Sequence, residues 1–216
     1  LTAQDVFNNV TRTAIEALVT EHEPPARLPH MIGLYNCTWS TASAVAYFTG
    51  GALYDWLGRG ALFGVPGVVF LAELGLVFWF DRLAARVTIP TRVLSADTPH
   101  PHPRAYLQPV APQVFLRLAW LANPFSYVAI YTLLATMPTI AERFGLSPAR
   151  VGLLCSVWLF GRLAAFVWLW NWTGWHYRFR WLLGGFAILA ASFVVILLAP
   201  ALWMVVVAQV GFGVTC

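Results

Sequence analysis

Residues 28–54 read LPHMIGLYNCTWSTASAVAYFTGGALY, and residues 61–80, beyond the polar turn DWLGRG at 55–60, read ALFGVPGVVFLAELGLVFWF. The first run carries no formally charged side chain, and the second carries only Glu73. At ~1.5 Å of rise per residue, a helix over either run crosses ~30 Å of hydrocarbon. A helix also satisfies its own backbone hydrogen bonds, which lipid cannot do for it. The expected fold class is therefore all-α, a polytopic transmembrane helical protein. Asp55, Gly58 and Arg59 form the turn of an expected helical hairpin.

Working outward, similar runs recur at residues 118–141, from Ser147-Pro148 to about Trp170, at 181–199, and from beyond Pro200 to Cys216. Six spans are expected. The third is interrupted by Asn123 and Pro124, a sign of either a broken helix or a kink. Ser147-Pro148 reads as an N-cap followed by proline in the first helical turn. The chain opens on Leu1 rather than Met and closes inside an apolar run, so both ends look cut.

Composition agrees with this reading. The chain of 216 residues is 59% hydrophobic and 10% charged, with a mean hydropathy of +0.69. Soluble domains run at about 45–50% apolar and about 25% charged. Too few charged side chains remain to cover a water-soluble core of this size. All 13 basic residues are arginine, and they fall mostly between apolar runs instead of forming a basic stripe. A nucleic-acid partner is therefore excluded. Cys37, Cys155 and Cys216 lie in apolar runs without ligand spacing and read as packing residues. No cofactor motif and no metal site is expected; His100 and His102, in the run TPHPHP, read as part of a proline-rich linker.

Orientation follows from the arginines. With residues 1–28 and 81–113 cytoplasmic, the inner segments hold Arg12, Arg27, Arg82, Arg86, Arg92, Arg104, Arg178 and Arg180, and the outer turns hold Arg59 and Arg143. That bias is the one the positive-inside rule requires. Trp79, Trp170, Trp172, Trp175, Tyr177 and Trp181 cluster at the proposed inner boundary, where amphipathic rings settle. Residues 1–27 carry a helical apolar patch at Val6, Val10, Ile15 and Leu18, expected as a cytoplasmic helix after a missing span.

Glu23, Pro24 and Arg27 before the first span, Gly33 within it, and Gly50-Gly51-Ala52-Leu53, Asp55, Leu57 and Gly58 at its exit resemble the major facilitator superfamily. Tyr35-Asn36, Thr38-Trp39-Ser40 resembles certain bacterial members. The resemblance covers roughly residues 21–216, and makes the six spans helices five to ten of twelve. Gly174, Arg178 and Arg180 are then similar to the family's basic loop between helices eight and nine, though without its usual acidic residue. The Gly-Pro of the drug-antiporter pattern is replaced by Phe48-Thr49, which disfavours drug–proton antiport. The implied organisation is a cytoplasmic segment (1–28), a hairpin ending the N-terminal half (29–80), a central loop (81–113) and the first four helices of the C-terminal half (114–216).

The resemblance implies solute transport, and several residues are candidates to carry it. A charge inside the bilayer costs about 2.5–3.5 kcal/mol even on insertion scales, so it needs a partner or a watery cavity. Arg162 is the candidate cavity cation, set against a structural ion pair or a snorkelling side chain. Glu73 is the candidate for ion coupling, by protons or another ion, set against a peripheral structural role. Asn36 and Trp39 on the first span, with Asn123, Tyr127 and Tyr131 on one face of the third, are candidates to line a substrate path; helix packing is the alternative. Ala42, Ala46 and Gly50 recur every fourth residue and are expected to form a close-packed seam between helices five and eight.

The expected function is secondary active or facilitative transport of a small solute, anionic if Arg162 binds it, by alternating access in a bacterial cytoplasmic (inner) membrane. On this reading the present stretch alone does not transport. The alternatives are an integral-membrane enzyme, disfavoured by scattered histidines and no HExxH or GxSxG motif, and a non-transporting receptor or assembly subunit. No GxxxxGK[ST] loop for ATP occurs.

Overall fold

The computed structural model describes residues 27–84, 112–172, 174 and 178–216, and in the N-terminal stretch residues 10, 11, 14, 15, 17–19, 23 and 24. Six long helices are described: α1 Leu28–Leu57, α2 Ala61–Ala84, α3 Pro112–Arg143, α4 Pro148–Asn171, α5 Phe179–Leu198 and α6 Leu202–Thr215. No strand occurs among the described residues. Each helix matches an expected span. Most of the expected central loop, and Val6, lie outside the described residues, though α2 runs on through Asp81 and Arg82 to Ala84. Val10, Ile15 and Leu18 are helical and exposed.

The turn between α1 and α2 is a short 3-10 segment, Gly58–Gly60, entered through Gly58 at φ 67°. That left-handed backbone is available to glycine without a Cβ penalty. The expected hairpin is corrected in one respect: α2 makes few contacts with α1 and does not pack along it. From Leu62 to Leu83 its side chains are exposed, with Val65 and Gly67 half-buried. Pro124 and Pro138 do not break α3, which is continuous through both. The broken-helix reading of Pro124 is therefore not followed. Membrane helices tolerate such prolines because neighbours and side chains re-satisfy the freed backbone groups.

The packing centre is α4. It runs against α1 on one side and α6 on another; α6 in turn packs on α5. Leu133, Met137, Leu154, Trp158, Ile196 and Phe212 are among the buried residues that join α3, α4, α5 and α6. Trp158 meets Phe212 edge to face, with ring centroids 5.9 Å apart. The backbones of α4 and α6 approach closely because Gly213 faces the Trp158 carbonyl and Gly161 faces Val210, where a Cβ would sit 3.0 Å from the carbonyl oxygen. Close approach through small residues is how helices associate in lipid, where no hydrophobic force drives them together.

Large apolar side chains cover the outside of the bundle: Phe63 is 83% exposed and Leu198 73%. Exposure on that scale is foreign to soluble monomers and natural for a lipid-facing surface. Among the described residues, four stretches of helix are long and apolar enough to cross a membrane, the first of them comprising α1 and α2 together; α6 is apolar but shorter. At the α4–α5 turn Trp168, Trp172 and Trp181 form a ring cluster with centroids 5.1–6.4 Å apart, and the Arg180 guanidinium lies 5.9 Å from the Trp181 ring.

At the opposite end of the bundle Arg143, closing α3, donates hydrogen bonds to the carbonyls of Leu197 and Ala199 at the end of α5. Helix ends leave carbonyls unpaired, and a cation there also suits the helix dipole. Arg143→Ala is expected to lower the thermal midpoint in detergent by about 3–8 °C, the equivalent of ~1–3 kcal/mol for a lost charge-assisted hydrogen bond. An unchanged melting curve would show that water serves these carbonyls equally well.

Candidate substrate site at the α1–α4 interface

The two helices of the interface meet along a line of small residues. A Cβ on Gly51 would overlap the Pro148 carbonyl oxygen, and one on Gly152 would lie 2.8 Å from the Tyr47 carbonyl oxygen. Toward the other end, a Cβ on Gly33 would lie 2.6 Å from the Trp170 ring. Ser40 and Ala44, fully buried, continue the same face of α1. Ala42, Ala46 and Gly50, expected to form the close-packed seam, are instead exposed. Ala46 and Gly50 instead line a cleft of about 630 Å³ with Tyr47, Tyr54, Pro138 and Cys155, between α1, α3 and α4.

Arg162 lies about two turns further along α4 than Cys155, beyond that cleft. It is half-buried, and its guanidinium carbon sits 4.8 Å from the Trp39 ring centroid on α1 and 5.2 Å from the Phe166 ring on its own helix. A guanidinium between aromatic faces is held by cation–π attraction, and a planar guanidinium is also the side chain whose fork matches a carboxylate or phosphate. Cys216, the residue after α6, is close enough to Arg162 to interact electrostatically, and its Sγ lies 4.0 Å from the Ser126 carbonyl oxygen on α3. Side chains from α1, α4 and the residue after α6 thus surround Arg162, and Cys216 in turn reaches α3.

Of the expected lining residues, Trp39 and Arg162 come together across the α1–α4 interface. Asn36 is half-buried one turn before Trp39 on α1. Asn123, Tyr127 and Tyr131 are exposed along α3; the two tyrosine rings stack at 6.4 Å, and Tyr131 lies within electrostatic reach of Tyr47 on α1. None of the three is among the residues that line the cleft. Glu73 stands exposed in the middle of α2 and joins no cluster among the described residues. Nor do the described residues group three or more His, Cys, Asp or Glu side chains as metal ligands would be grouped.

Phe166 and Ser126 were not singled out from the sequence, and Cys216 was read there only as a packing residue. Phe166 carried a legible signal, since it stands four residues after Arg162 and so on the same helix face. Cys216 and Ser126 carried none, because only the packing of α3 and α6 brings Cys216 near Arg162 and Ser126 near Cys216. Gln209 was also missed: it is fully buried on α6, with its amide nitrogen 3.6 Å from Met137 Sδ on α3.

Long apolar helices with large apolar side chains turned outward, and no strand among the described residues, define a polytopic integral membrane protein. The family model of the Major Facilitator Superfamily matches residues 1–216, and the chain belongs to that family. Its members move small solutes across membranes and are transporters, not enzymes. No curated protein and no solved structure matches the chain.

Proposed function

We propose that this chain forms part of a secondary active or facilitative transporter that moves a small anionic solute by alternating access. On this reading α1 and α2 close the N-terminal half and α3 to α6 belong to the C-terminal half. Residues 1–28 and 81–113 face the cytoplasm of a bacterial cell. The observation that carries the proposal is the Arg162 guanidinium held against Trp39, a side chain from the other half. A cation placed where two halves meet can bind an anion from both of them, so that its occupancy reports on their relative position. Asn36 would add a hydrogen bond, and Glu73 is the candidate coupling carboxylate on α2.

Vesicles containing the full-length protein provide the test. Preloaded vesicles are expected to exchange internal for external small carboxylates or phosphates, with neutral sugars of similar size failing to compete. Exchange of the neutral solutes with no inhibition by anions would remove Arg162 from the substrate path. Solute binding with no exchange of any kind would favour a receptor on the same scaffold.

A further inference from the structure

The N-terminus of α4 has no cap of its own. Ser147 precedes it in extended backbone but makes no side-chain capping bond, and Pro148 has no N–H to offer. The next N–H, that of Ala149, donates to Asp55 Oδ2 at 3.0 Å, and Asp55 belongs to the last turn of α1. A carboxylate thus caps a helix of a different hairpin, where the positive end of the helix dipole favours it. At the far end of the same pair, the indole N–H of Trp170 donates to His30 Nδ1 at 3.1 Å, with the rings 4.9 Å apart. Residues 149 and 170 are separated by ~32 Å of helix, so the two ties stand near opposite membrane faces.

We propose that these two bonds are opposing latches on one helix pair, and that Asp55 sets how often its end of the pair opens. The inference rests on the alternating-access reading above. If α1 and α4 rock about their close-packed centre, opening the Asp55 end strips the cap from α4 and leaves the His30 end tied. Opening the His30 end breaks only the Trp170 bond. Both bonds are closed in this structure, and each is broken in only one of the two open states, so the two local contacts set the populations.

Cys155 reports the outcome, because it is buried on α4 and borders the cleft at the Asp55 end with Gly50 and Tyr54. A membrane-impermeant methanethiosulfonate is added to each face of vesicles bearing the full-length protein, and modification at Cys155 is followed by peptide mass spectrometry. Asp55→Ala is expected to raise the labelling rate about tenfold from one face only. Asp55→Asn, which keeps an acceptor without charge, is expected to raise it less, and Trp170→Phe to lower it. An unchanged rate in Asp55→Ala overturns the proposal. So does a rise in both Asp55→Ala and Trp170→Phe, which would mean general loosening of the bundle. Labelling needs no solute, so a failed exchange experiment and a failed latch are told apart.

Discussion

Gly51→Ala is expected to lower solute exchange at least tenfold, whereas Gly50→Ala, one residue earlier, should leave it within about twofold of the unaltered protein. The difference comes from what each added methyl would meet. At Gly51 the new Cβ overlaps the Pro148 carbonyl oxygen and stands 2.9 Å from its carbon and 3.0 Å from Ala149 Cα. These are all backbone atoms, so no side chain can rotate out of the way. The helices must separate, and the Asp55–Ala149 hydrogen bond at their end separates with them. Overpacking of this kind costs ~1–3 kcal/mol. In lipid no hydrophobic force holds the pair together, so close packing and a few polar contacts are all that oppose the separation. A Cβ on Gly50 meets nothing within 4 Å. Surface expression of the two variants serves as the control, and equal exchange by both would show that the approach at Gly51 has no part in the cycle.

The second large effect is expected at Arg162. Arg162→Ala should reduce exchange of anions by about a hundredfold, with Arg162→Lys falling between it and the unaltered protein. Placing arginine within a span costs about 2.5–3.5 kcal/mol on insertion scales. The rings of Trp39 and Phe166 offset part of that cost through cation–π contact. Lysine keeps the charge but loses the planar fork that can hold a carboxylate or phosphate by two parallel hydrogen bonds, and it stacks less well on aromatic faces. The measurement is the concentration dependence of exchange, with membrane insertion checked by surface labelling. Unchanged affinity and rate in Arg162→Ala would make Arg162 a structural cation.

Much of the fold was legible because the lipid requirement acts on long runs of residues. The apolar stretches located all six helices, and Ser147-Pro148 marked the start of α4. What escaped was which face of α1 packs. Ala42, Ala46 and Gly50 share a period of four, but so do Ser40 with Ala44, two residues away and across the helix, and Tyr47 with Gly51, one residue away and about 100° round it. A helix small-sided on both faces does not declare its partner side; the backbone of α4 at Pro148 and Gly152 decides it. The site was half legible for a related reason. Arg162 stood out as a charge within a span, and Trp39 as an aromatic in a polar cluster, but their meeting depends on how α1 and α4 are aligned. Asp55 was read as a turn residue and as part of the family resemblance, but not as a cap, since nothing local to it reveals a helix end 94 residues later in the chain.

The central claim, that α1 and α4 rock against each other as a solute is carried, is tested most directly by distances at the two ends of the pair. Spin labels at the exposed positions Ala52 and Leu153 report the Asp55 end, and labels at Leu34 and Val167 report the His30 end. Adding a transported anion to the full-length protein in lipid is predicted to lengthen one distance and shorten the other within the same sample. A single unchanged distance at both ends, in protein that still exchanges solute, would contradict the account.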